Sequence, residues 1–187
     1  MKLRVGILGG TFDPVHNAHL ALAAAALQAC RLDRILWIPT GTPPYRAAPV
    51  AAAADRLAML KLGIAGEPRH AVDERELAPA ASGYTVDTVL ALREENPGTE
   101  FVLFMGADQY ARRASWKRWP ELEKLCRIAV AERPDAPPPE GPFERIPMAR
   151  LPVSASEVRA RLARGEDVSG MLPAAVLRYI KENGLYC

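Results

Sequence analysis

Short apolar runs alternate with helix-forming stretches along most of the chain. Leu3-Arg4-Val5-Gly6-Ile7-Leu8, Arg34-Ile35-Leu36-Trp37-Ile38, His70-Ala71-Val72, Phe101-Val102-Leu103-Phe104-Met105 and Arg127-Ile128-Ala129-Val130-Ala131 read as five strands. Between them, the alanine-rich run Leu20–Leu27 is a strong helix former. Residues 51–65 place Leu57, Leu60 and Ile64 on one helical stripe. Val86–Glu95 reads as a helix ended by Asn96-Pro97-Gly98, and shorter helices follow at 107–113 and 118–125. This alternation predicts an α/β fold, a mostly parallel five-stranded sheet with helices on both faces. Beyond it, five prolines between Pro134 and Pro142 exclude regular structure. A strand at 144–149 would have to lie at an edge, because Pro147 lacks a ladder donor. Helices at 156–164 and 173–183 form a small C-terminal extension. The expected organisation is one domain, 1–187, with a core of about 1–133 and an extension of about 143–187.

Composition narrows the class. Of 187 residues, 49% are apolar, enough for a sizeable core. Twenty-four basic and 22 acidic side chains leave a formal charge of +2, too balanced for a broad nucleic-acid surface. Cys30, Cys126 and Cys187 are odd in number and widely spaced, which fits a reducing compartment better than a disulfide framework. The apolar run near residues 21–29 is broken by Gln28 and is too short to cross a bilayer. A cytoplasmic protein is expected.

Chemistry concentrates after the first strand, in Gly9-Gly10-Thr11-Phe12-Asp13-Pro14-Val15-His16-Asn17-Ala18-His19. A strand-to-helix turn of this kind is an anion site, because glycines admit a ligand and the helix start aims free N–H groups at it. Asn17 is the expected N-cap, and His16 and His19, three apart, can face one ligand. The glycine spacing does not match a Gly-x-Gly-x-x-Gly dinucleotide loop, and no Gly-Lys-Ser/Thr ends the segment. A zinc pair would lack an obvious third ligand, since the only other histidine is His70, which has no motif around it. Two surface histidines on an ordinary turn would be the plainer explanation.

The full string resembles the signature of the nucleotidylyltransferase superfamily, a Gly-Thr/Ser-Phe-Asp-Pro turn followed by His-x-Gly-His, with Ala18 in place of the glycine. The superfamily's late Ile-Ser-Ser-Thr-x-Ile-Arg string is matched by Val153-Ser154-Ala155-Ser156-Glu157-Val158-Arg159. By itself, that stretch is fully explained as a Ser154–Glu157 capping box. Pro43-Pro44-Tyr45-Arg46 resembles the Pro-Pro-His-Lys loop of nicotinate-nucleotide adenylyltransferases. Ser82-Gly83-Tyr84-Thr85-Val86-Asp87-Thr88, Gly106-Ala107-Asp108-Gln109, Trp116-Lys117-Arg118-Trp119 and Arg133-Pro134 resemble further segments of that family. Asp108 alone would read as the N-cap of its helix, two tryptophans three apart as core packing, and the basic cluster Arg112, Arg113, Lys117 and Arg118 as a solvated face.

The resemblance implies a Rossmann-like fold of strand order 3-2-1-4-5 with its ligands at the switch point between the first and fourth strands. It implies transfer of the adenylyl group of ATP to nicotinate mononucleotide, with His16 and His19 catalytic. Gly9, Gly10, Thr11, Phe12, His16, His19, Gly106, Asp108, Ser156 and Arg159 would bind ATP. Arg46, Thr85, Trp116 and Arg133 would bind the mononucleotide, with Trp116 stacking on the pyridine ring and Trp119 packing the core. Magnesium would arrive with ATP and take few protein ligands, and no dedicated metal site is expected. No nucleic acid or membrane partner is implied, and a homo-oligomer is left open. Other acceptors on the same scaffold, namely phosphopantetheine, glycerol phosphate or the amide mononucleotide, remain alternatives, as does a nucleotide-binding protein without catalysis.

Overall fold

The computed structural model describes residues 2–41, 48–132, 140–149 and 151–187. Six strands form a single sheet: β1 (Arg4–Gly10), β2 (Arg34–Pro39), β3 (His70–Val72), β4 (Glu100–Gly106), β5 (Arg127–Ala131) and β6 (Glu144–Ile146). Their order is β3-β2-β1-β4-β5-β6, and every neighbouring pair is parallel. The five-stranded expectation therefore falls one short. The sixth strand comes from the extension and pairs Ala129 with Glu144 and Ala131 with Ile146. It ends immediately before Pro147, as an edge strand with only one neighbour must when the ladder donor is lost.

Side chains alternate across the sheet with period two. Val5 and Ile7 of β1, with Phe101, Leu103 and Met105 of β4, pack under α3 (Thr85–Glu95) and α5 (Trp119–Leu125). Leu8 of β1, with Val102 and Phe104 of β4, faces the other way. There α1 (Asn17–Ala29), α2 (Ala53–Ile64), α6 (Ala155–Ala163) and α7 (Ala174–Glu182) cover the sheet. The short α4 (Ala107–Ala111) follows β4 directly.

Helix boundaries fall within one or two residues of the sequence expectation, with two informative exceptions. The buried positions of α2 are Arg56, Met59, Leu60 and Ile64, so an arginine stands where Leu57 was expected on the stripe. At α1 the cap is His16 rather than Asn17. Asn17 is occupied elsewhere: its backbone N–H bonds to Met171 O at 2.9 Å and its side-chain amide to Gly170 O at 3.0 Å. These bonds tie the start of α1 to the loop before α7.

Gly6 shows how tightly the central strand is packed. A Cβ there would lie 2.6 Å from Leu32 Cδ1 and 2.9 Å from Phe104 Cε1. Overfilling a core of this kind costs about 1–3 kcal/mol. Gly6→Ala should therefore lower the urea midpoint by an equivalent amount with the m-value unchanged.

Candidate active site

Parallel strands that diverge to opposite sides open a crevice at their carboxyl ends. Here β1 and β4 are neighbours, and the loops after each line a cleft of about 1460 Å³. A pocket for one small ligand occupies about 300–1,000 Å³, so this cleft has room for two. Gly9, Gly10, Thr11, Phe12, His16 and His19 line it from the first loop, and Gly106 and Asp108 from the fourth strand and its helix. Thr85 and Trp116 form another part of the wall, and Ser156 and Arg159 reach it from α6. Twelve of the fourteen site residues expected from sequence thus border one cavity. Arg46 and Arg133, with the Pro43–Arg46 loop and Arg133-Pro134, lie outside the described residues.

The glycines at the strand ends have a spatial reason. A Cβ built on Gly9 or on Gly106 meets nothing within 4 Å. Both backbones face open cleft, where a side chain would occupy ligand space. Gly10 is different: a Cβ would touch the Phe12 ring at 3.0 Å. Phe12 itself has φ 49° and is buried. Its ring packs against Trp37 at 5.5 Å and edge-on to His19 at 5.1 Å. Its chief contact is therefore with the core and with the back of a histidine.

His16 and His19 stack with ring centroids 3.7 Å apart. The His16 N–H donates to His19 Nδ1 at 3.3 Å, so the neutral His19 ring carries its proton on Nε2 and is set as a donor. Burial lowers the His16 pKa to about 4. It also holds His19 well below its ordinary value, with the neighbouring His16 charge acting in the same direction. Two neutral imidazoles therefore face the cleft at neutral pH. His16 Nδ1 is buried without a protein partner.

At the far wall, Ser154 Oγ accepts the Glu157 N–H at 3.2 Å and lies 3.1 Å from Ser156 Oγ. Only half of the expected capping box forms, because the Glu157 carboxylate pairs with Arg161 at 2.6 Å. The Arg159 guanidinium lines the cleft while donating to Asp13 O at 2.7 Å. Asp108 is the second residue of α4 and Gly106 is the cap, so the capping role expected for Asp108 falls to the glycine. Trp119 is buried, and Trp116 meets it edge-on at 5.7 Å while facing the cavity. Of the basic cluster, Arg118 is paired with Asp87 and Glu121, Lys117 sits 4.1 Å over the Tyr84 ring, and Arg113 sits 4.3 Å over Tyr110. His70, on β3, packs against Trp37 at 5.4 Å.

Two groups escaped the sequence reading. Arg56, only 1% exposed, donates to Thr11 O at 2.6 Å and Thr40 O at 2.8 Å, fastening the first loop to the end of β2. A basic residue in register with Met59, Leu60 and Ile64 was the available signal. Glu76, buried at the cleft wall, accepts the Thr88 hydroxyl at 2.6 Å, and burial pushes its carboxyl pKa up. Nothing in the local sequence marks it.

Below pH 6.5 an unfolded chain protonates these histidines while the fold resists. Stability contributed by keeping His16 neutral should therefore be complete above pH 6.5 and fall by about 3 kcal/mol as pH drops toward 4. NMR of the imidazole nitrogens should show both rings neutral at pH 5.5, with the His19 proton on Nε2.

A family model described as cytidylyltransferase-like matches residues 7–161. A protein of Laribacter hongkongensis named "Probable nicotinate-nucleotide adenylyltransferase" is 43% identical, the alignment covering 99% of this chain and 95% of the relative. One of Bordetella petrii with the same name is also 43% identical, with 98% of each covered. The solved Plasmodium falciparum nicotinic acid mononucleotide adenylyltransferase complexed with NaAD superposes with a TM-score of 0.80 at 20% identity, covering 98% of this chain and 97% of that one. The same enzyme complexed with APC gives 0.76 at 21% identity, covering 100% and 98%. At those identities the structures speak for the fold, whereas the family model and the closely similar sequences settle descent: this chain belongs to the cytidylyltransferase-like family.

Proposed function

We infer that this protein transfers the adenylyl group of ATP to nicotinate mononucleotide, giving deamido-NAD and pyrophosphate. The observation that carries the reading is the convergence of His16, His19, Ser156 and Arg159 with Thr85 and Trp116 on one cleft. Relatives about 43% identical over the full chain bear the name of that activity.

In the reaction, an oxygen of the mononucleotide 5′-phosphate attacks the α-phosphorus of ATP. A new P–O bond forms as the bond to the β-phosphate bridging oxygen breaks, and pyrophosphate leaves with that electron pair. Phosphate is already a competent nucleophile, so the protein supplies position and charge stabilisation. Neutral His19, donating from Nε2, and the amides at the start of α1 meet the α-phosphate. Ser156, the start of α6 and Arg159 hold the departing pyrophosphate. The adenosine lies along Gly9 and Gly106, where the absent side chains leave room. Trp116 stacks on the pyridine ring, and Thr85 with the first amides of α3 receives the nicotinate carboxylate. Arg46 and Arg133 are assigned to the mononucleotide from the family resemblance alone.

Magnesium would come with ATP. Among the described residues no three His, Cys, Asp or Glu side chains gather to hold a metal ion. The cleft carboxylate that precedes the histidines in the first loop, Asp13, has both oxygens engaged by protein donors. Carried on the phosphates of ATP, the ion would neutralise charge on the leaving group. The substrates imply no membrane partner, and no helix among the described residues is long and apolar enough to cross one.

Pyrophosphate release from ATP, measured with the acid and amide mononucleotides side by side, should be faster with the acid. Equal rates would remove the assignment of carboxylate recognition, and no release with either would remove the function. His19→Ala should lower turnover on the order of 10²-fold, as loss of one oxyanion donor does, and near-normal turnover would take His19 out of the mechanism.

A further inference from the structure

Asp13 stands where three parts of the cleft meet. It is 5% exposed, and among the described residues the hydrogen-bond donors to its carboxylate come from outside its own loop. Oδ2 accepts the Val50 N–H at 2.7 Å. Oδ1 accepts the Ala51 N–H at 3.1 Å and the Tyr186 hydroxyl at 2.7 Å. Its carbonyl takes Arg159 of α6. Ala48, Pro49 and Val50 line the cleft just ahead of α2. The chain enters this side of the cleft at Thr40 and Gly41, and that entry is tied to the same loop. The Thr40 N–H bonds to Gly10 O at 2.9 Å, and Arg56 spans Thr11 O, Thr40 O and Gly41 O. Both flanks of the 42–47 segment are thus registered against residues 10–13.

Tyr186 takes no part in lining the cleft. It follows α7 with φ 64°, a left-handed conformation that costs a non-glycine residue energy, and it places its hydroxyl on Asp13. Burial and the Asp13 carboxylate both push the phenol pKa up, so the group remains a donor throughout the working pH range.

We propose that Tyr186, acting through Asp13, is a positioning residue for adenylyl transfer, holding the 48–51 segment and Arg159 in register with the histidine loop. In-line attack requires the reacting atoms within about 3–3.5 Å, and a misplacement of 1 Å costs about 10²-fold in rate. Without the hydroxyl, Asp13 Oδ1 keeps only the longer of its two bonds, and the carboxylate is free to rotate away from Ala51.

The inference rests on the transfer reaction proposed above, and the molecule contains its own control. Tyr179 on α7 donates to Asp55 Oδ1 of α2 at 2.9 Å, a bond of the same chemistry that engages α2 rather than residues 10–13. Tyr186→Phe should lower kcat about fivefold to tenfold, with a melting temperature matching that of Tyr179→Phe. Tyr179→Phe should keep kcat and both KM values within about twofold of wild type. Asp13→Asn and the double variant Asp13→Asn/Tyr186→Phe should be equally impaired, since both substitutions break one linkage. Wild-type kcat in Tyr186→Phe, equal losses in the two tyrosine variants, or multiplying losses in the double variant would each overturn the proposal. Ratios are taken on whichever acceptor the wild type uses, so a failure of nicotinate mononucleotide as substrate is read from the wild type alone.

Discussion

Where β1 and β2 end, the carbonyls of Thr11 and Thr40 leave the ladder, and one buried guanidinium donates to both. An unpaired buried carbonyl costs about 1–3 kcal/mol, and an unpaired buried charge costs more. Arg56 satisfies the carbonyls and is itself balanced by Asp13, whose charge opposes the lowering of its pKa by burial. The carboxylate in turn holds Val50, Ala51 and Tyr186. Loops after two strands, the entry to α2 and the chain beyond α7 are therefore joined through one arginine and one aspartate. The rigid wall of the cleft depends on that pair remaining complete.

On this frame sits a site whose charge is set for an anionic guest. Burial keeps two stacked imidazoles neutral, which removes mutual repulsion at 3.7 Å and leaves each ring able to donate. The helix starts at α1 and α6 add backbone donors without mobile side chains. Glycines at the ends of β1 and β4 present bare backbone to the space between. Neutral donors, aligned amides and one partly engaged arginine suit the developing charge of a phosphoryl transfer without a covalent intermediate.

Much of this is legible in the sequence. The strands at 70–72 and 127–131 coincide with expectation, each carrying β-branched residues, Val72 in the first and Ile128 and Val130 in the second. The motif residues were found because their spacing is local: His16, His19, Ser156 and Arg159 each belong to a short string. The sixth strand lies within the edge strand expected at 144–149 but stops at Ile146, because Pro147 lacks a ladder donor; only the five-strand count omits it. Asn17 is a better intrinsic cap than histidine, yet its two bonds to the loop at 170–171 accompany a place inside the helix, as the first residue of α1.

What the sequence determined by itself is the class of fold and the chemical inventory, since periodicity and motif strings act over a few residues. What only the tertiary structure decided is who partners whom across 37 to 173 positions of chain, as Asp13 does with Val50 and Tyr186. Such pairs leave no local pattern, because a buried aspartate and a distant tyrosine are each ordinary residues until folding removes the water between them. Burial also set the protonation of the histidines, for a pKa belongs to the surroundings that the whole chain builds.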